Sequence, residues 1–198
     1  MSKANMKFGI HTFHLENLQK MGLDLQKAEQ ALNPVRHIEH CVDLGIRNFE
    51  ITYDINLLMI NDNPEKIVDE LLEIKKKRGL AYSVHLPFRG IDLCYPDKEI
   101  GKAYAGLMSK AIALMAPLKP EAYVIHPTGG LGEKLCRKFP ENAFTIWTLV
   151  EQCRFVMKSI IEKSGIDSRM LAVENLKFPF TALHGMIEDL DLSVCLDA

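Results

Sequence analysis

NPEKIVDELLEIKKKRGLAYSVHLP, residues 63–87, decides how this chain is read. In its first part Ile67, Leu71, Leu72 and Ile74 share one helical face, and Gly79 stands where a helix is capped at its C-terminus. The apolar run AYSVH follows at once and ends at Leu86-Pro87. Proline lacks the N–H that a central strand needs, so His85 is expected at the strand's C-terminal rim. A helix running straight into a buried strand, with no hairpin dipeptide such as Asn-Gly, is a piece of a parallel crossover unit.

The same alternation extends in both directions. Upstream, MKFGIHTF reads as a first strand, HIEHCVDLG as a helix and RNFEI as a second strand. Downstream, a loop through Gly90 and Pro96 leads to the helix DKEIGKAYAGLMSKAIALMAPL, with Asp97 as its N-cap, and to strand four, EAYVIH. TGGLGEKLCRKFP reads as a longer loop. PENAFTIWTLVEQCRFVMKSIIEKSG reads as a helix with Pro140 near its start, LAVENL as strand five, PFTALHGMIEDL as a shorter helix and LSVCLDA as strand six. The pattern predicts an α/β fold with right-handed crossovers.

Polar side chains ending several successive strands favour a closed ring over an open sheet, whose site lies at one switch point. The strand ends recur at intervals compatible with roughly 31 residues per unit of an eight-unit barrel. The expected architecture is therefore a (β/α)8 TIM barrel of which about six βα units are present. The chain stops one residue after Asp197, so the expectation is a single domain over 1–198, truncated at its C-terminus, with apolar edges exposed at strands one and six.

A composition of 47% hydrophobic and 25% charged residues supports a folded core and excludes a disordered chain. A formal net charge of -2 and a pI near 6.4 give no overall electrostatic reason to bind nucleic acid. The five cysteines are odd in number and include no CxxC, which argues against a disulfide framework or a thiolate zinc site and suits a reducing cytoplasm. No long apolar signal region or stretch approaching about 18 apolar residues is present, so a soluble protein is expected.

Chemistry concentrates at four strand ends: AYSVHLP delivers His85, AYVIHPT His126, LAVENL Glu174 and LSVCLDA Asp197. A divalent metal in a hydrolytic site wants neutral imidazole nitrogens and carboxylate oxygens with one position left for water. Either histidine alone could be a hydrogen-bonded structural residue; the pair at matching strand ends is read as metal ligands. Glu174 follows Leu171-Ala172-Val173, where an unpaired carboxylate would be costly; a cation is one partner, Arg169 or Lys177 another. Asn175 could hydrogen-bond a substrate or hold the neighbouring loop.

His11, His14 and Glu50 also fall near strand ends and are candidates to contact a small-molecule substrate, although Glu50 could instead pair with Arg47 or Arg89. His37, His40 and His184 sit in helical patterns as surface or packing residues. Lys75, Lys76, Lys77 and Arg78 complement a helix C-terminus and face solvent. Thr128-Gly129-Gly130 follows a strand end and could present backbone N–H groups to a phosphate, but it lacks the full P-loop pattern and is read as a flexible loop.

At these residues the chain resembles the xylose isomerase-like TIM-barrel superfamily, from GIHTF to VCLDA, which also contains the apurinic endonuclease family of metal-dependent phosphodiesterases. A VHLP strand three, an IHP strand four, VEN and CLD look like the phosphodiesterase branch; the superfamily's sugar and sugar-phosphate isomerases and epimerases rely mainly on ligands from later strands. The resemblance implies one metal held by His85, His126 and Glu174, with Glu174, also at the catalytic centre, bridging to a second metal that Asp197 binds. It implies a divalent cation, zinc first and manganese or iron as rivals. VHLPFRGIDL and VENLKFPF further resemble cobamide-remodelling phosphodiesterases, which cleave the nucleotide loop of corrinoids. The other functions in view are a metal-dependent isomerase or epimerase and a ligand-binding barrel without turnover.

Overall fold

A computed structural model describes residues 9–12, 33–54, 63–139, 142–176 and 178–196. The elements are β1 (Gly9–His11), α1 (Pro34–Asp43), β2 (Asn48–Thr52), α2 (Pro64–Arg78), β3 (Ala81–His85), α3 (Lys98–Met115), β4 (Tyr123–Ile125), α4 (Gly130–Lys138), α5 (Ala143–Ser164), β5 (Leu171–Glu174), α6 (Phe180–Asp189) and β6 (Ser193–Cys195). Short 3-10 turns at Ala116–Leu118 and Ser168–Met170 precede β4 and β5. Strand order follows the sequence from β1 to β6 in one parallel sheet, the arrangement expected of βα units in a TIM barrel.

The chain divides into two compact units. The first contains the described residues through His85 together with Leu114–Glu121. Here β1 pairs with β2 and β2 with β3, with His11 opposite Glu50, Glu50 opposite Ser83, and Thr52 opposite His85. Helix α2 starts at the N-cap Asn63, whose side chain accepts from the Lys66 N–H, and ends at Gly79 with φ 65°, the left-handed cap that the sequence predicts. It buries Ile67, Val68, Leu71 and Ile74; Val68 takes the core place expected of the half-buried Leu72. Tyr82 turns from β3 toward this helix and donates its hydroxyl to Leu71 O at 3.0 Å. Burial pushes the Tyr82 phenol well above its ordinary value.

Two expectations are corrected in this unit. Helix α1 begins at Pro34 rather than at His37, because Asn33 caps it by accepting from the N–H groups of Val35 and Arg36, and proline suits the first helical turn. Lys75 does not simply face solvent. Its ammonium donates to Leu118 O and, at 3.1 Å, to Lys119 O, and lies 5.4 Å from the Tyr82 ring centroid. Burial lowers its pKa.

The second unit comprises Leu86–Ala113 and the residues from Ala122 onward. Strand β4 pairs with β5 and β5 with β6, placing Ile125 opposite Val173 and Glu174 opposite Cys195. Tyr123 reaches from β4 to α3, where its hydroxyl donates to Ile112 O at 3.4 Å, and burial pushes its phenol up to about 12. Helix α5 buries Leu149, Val150, Cys153, Val156, Met157 and Ile160, and Asn142 caps it through the Thr145 N–H. Pro140, read as part of that helix's start, lies outside the described residues.

The segment read as a loop between β4 and α5 is instead the helix α4. No side chain caps it at Gly129. Its anchor comes from elsewhere: Asp92 Oδ2 accepts from the Gly132 N–H at 2.8 Å. In β6 Val194 is 43% exposed, and Leu196, just after the strand, is 77% exposed. No helix among the described residues is long and apolar enough to cross a membrane.

Candidate metal centre

His126 directly follows the last residue of β4, and Glu174 is the last residue of β5. Because Ile125 is in register with Val173, His126 comes level with Glu174. Tyr123 faces α3, so alternation puts Val124 and His126 on the opposite face of the strand. The outcome is a contact of 2.8 Å between His126 Nε2 and Glu174 Oε2, with side chains 20% and 12% exposed. The buried carboxylate that required a partner therefore has one. Arg169, the alternative partner, pairs with Asp191 at 2.8 Å; Lys177 lies outside the described residues.

The imidazole is also held from its side. The Phe88 ring lies 4.9 Å from the His126 ring, centroid to centroid, at 50°. The Arg89 guanidinium lies 5.5 Å from the Phe88 centroid. Sequence reading missed Phe88; its place in VHLPF, three residues past the strand-end histidine, was the available signal.

Asp92 is the second missed residue. Buried at 7% exposure, it accepts from the Cys94 N–H at 3.1 Å and from the Gly132 N–H at 2.8 Å, tying the loop after His85 to the start of α4. Gly129 packs so closely that an added Cβ would lie 2.2 Å from Ile91 O. Cys94 donates its thiol to Pro127 O at 3.3 Å. Its pKa is raised by the neighbouring thiol of Cys153 and by burial, so it is held neutral. These contacts fix the turn that leaves His126, and Thr128-Gly129-Gly130 is a packed helix start, not a flexible loop.

In the first unit, His85 closes β3 at 6% exposure. Alternation places it with Ser83, on the face opposite Tyr82 and hence opposite α2. Glu50 accepts from Ser83 Oγ at 3.4 Å, and its other oxygen lies 3.0 Å from His11 Nδ1. Arg47, offered by the sequence as a partner for Glu50, instead donates to the carbonyls of Val42 and Ile46. His11 and Glu50 thus form a polar pair at adjacent strand ends, with the His11 side chain 62% exposed.

His85, His126 and Glu174 are the described residues whose donor atoms could hold a metal ion. Two imidazoles and one carboxylate are the donor types of an open catalytic site for a borderline cation. Asn175 extends the β5–β6 pairing through its backbone N–H, which donates to Cys195 O at 3.1 Å. Asp197 and His14 lie outside the described residues.

A family model described as xylose isomerase-like TIM barrel matches residues 38–198. No curated protein matches by sequence. Among solved structures, a D-tagatose 3-epimerase-like protein is 17% identical with a TM-score of 0.66, over 97% of this chain and 65% of that one. Endonuclease IV from Thermus thermophilus is 18% identical with a TM-score of 0.58, over 97% and 62%. A xylose isomerase domain protein from Alicyclobacillus acidocaldarius subsp. acidocaldarius is 14% identical with a TM-score of 0.54, over 98% and 62%. The chain spans just under two thirds of the length of each. At these identities the likeness establishes a shared fold.

Proposed function

The chain belongs to the xylose isomerase-like TIM barrel family, and from that premise we propose that it is a metal-dependent phosphodiesterase acting on a small-molecule phosphodiester. The observation that carries the reading is the His126–Glu174 contact at neighbouring strand ends. His85 is the proposed third ligand. Leu86, bonded to it, donates its N–H to Val124 O of β4 at 2.9 Å, two positions before His126. Asp197 is proposed as a ligand to a further cation, from the resemblance of VCLDA alone.

A bound divalent cation, zinc by the two imidazoles with manganese or iron as rivals, supplies water activation and charge stabilisation for hydrolysis. The protein's own part is orientation. His126 is positioned by Phe88 and by the β4–β5 register, and Glu174 turns its carboxylate toward His126 rather than toward Arg169. His11, Glu50 and Asn175 are proposed substrate contacts. The likeness of VHLPFRGIDL and VENLKFPF to cobamide-remodelling enzymes makes the nucleotide loop of a cobamide the first substrate to try.

The competing chemistry is a sugar or sugar-phosphate isomerase or epimerase, in which a carboxylate moves a proton between carbons. A panel of phosphodiesters and ketoses, assayed with metal-loaded protein containing this chain, separates them. Diester cleavage without ketose interconversion is the expected result, and the reverse transfers the assignment to the isomerase.

A further inference from the structure

Helix α4 and Pro179 border an open pocket of about 560 Å³ lined by Gly130, Glu133, Lys134, Cys136, Arg137 and Pro179. That volume lies in the range that receives small ligands. Lys134 and Arg137 stand one helical turn apart and are exposed. Among the described residues neither forms an ion pair, whereas Arg154 is paired with Glu151 and Asp189, and Arg169 with Asp191. Among the described lining residues Glu133 is the one acidic group, so cations outnumber carboxylates there.

The position of the cavity adds a second argument. Helix α4 starts just past His126, and Pro179 follows Glu174 on the next strand, so the cavity's walls grow from the same strand ends that carry the candidate ligands. A Cβ at Gly130 would meet nothing within 4 Å, which leaves this wall open to an incoming group.

We propose that this cavity is an anion subsite, in which Lys134 and Arg137 bind a phosphate group of the substrate away from the bond that is cleaved. Arginine offers a planar fork of donors to phosphate oxygens, and lysine a point charge beside it. Calling the bound phosphate part of a substrate rests on the phosphodiesterase reading; the anion site itself does not.

The test titrates inorganic phosphate into chelator-treated full-length protein by calorimetry, so that no metal can hold the ion. Lys134→Ala/Arg137→Ala should weaken binding by about tenfold or more, while Lys134→Arg/Arg137→Lys should retain it within about threefold. In a second arm, metal-loaded protein is given p-nitrophenyl nucleotide diesters with and without an added phosphate monoester. The double alanine variant should raise KM only for the substrate bearing the extra phosphate and leave kcat unchanged. Phosphate binding that is absent in the unmodified protein, or equal in the double alanine variant, overturns the subsite. Binding that depends on both cations in a protein that cleaves no diester keeps the subsite and removes the hydrolase reading.

Discussion

His126 Nε2 and Glu174 Oε2 lie 2.8 Å apart because the β4–β5 register sets Ile125 against Val173, bringing the next residue of each strand level. A one-residue slip would turn one of these side chains to the helix-facing side of the sheet. The contact is therefore a product of strand pairing as much as of the two residues.

If the pair holds a cation, removing either donor should cost metal before it costs fold. His126→Ala and Glu174→Gln in full-length protein should each lower metal affinity by about tenfold or more, with elemental analysis after dialysis against a weak chelator as the readout. Full metal occupancy in both variants would remove the pair from the coordination sphere.

The Asp92 carboxylate satisfies two backbone donors in a buried loop. Asp92→Ala leaves the Cys94 and Gly132 N–H groups without their acceptor and should destabilise by about 2–4 kcal/mol in chemical denaturation. Asp92→Asn, which keeps one oxygen acceptor, should lose about half as much. Equal stability of all three proteins would contradict the anchoring role.

Gly129→Ala forces a methyl group to 2.2 Å from the rigid Ile91 carbonyl. Backbone must move, with an expected loss of about 1–3 kcal/mol. An unchanged melting temperature would show that the approach of the two loops is looser than described.

Tyr82 and Tyr123 titrate above the ordinary phenol value of 10.0 because both are buried, Tyr123 at about 12. Their folded pKa values exceed the unfolded ones, so the unfolded chain loses these protons first. Stability from this source is complete below pH 10 and declines as pH rises through the folded values. Denaturation midpoints measured from pH 9 to 12 should fall, and Tyr82→Phe/Tyr123→Phe should flatten that fall.

Where the sequence was legible, the cause is local. Gly79 caps α2 directly after its last residue, and the prolines after His85 and Ile125-His126 mark strand ends. Helix α4 was misread because TGGLG contains no side-chain cap; its anchor, Asp92, lies 40 residues upstream. The partner of Glu50 was equally hidden, since Arg47 is near in sequence but committed to carbonyls, while the β1–β2 register selects His11. Glu174 was recognisable as a costly buried charge, yet only the β4–β5 register chooses His126 over Arg169.

The most direct measurement is the rate of phosphodiester cleavage by metal-loaded full-length protein, compared with its His85→Ala and His126→Ala variants. The account predicts metal-dependent cleavage that falls by about two orders of magnitude or more in each variant, together with loss of bound metal. Cleavage unchanged in both, or metal-dependent ketose interconversion with no diester cleaved, would contradict it.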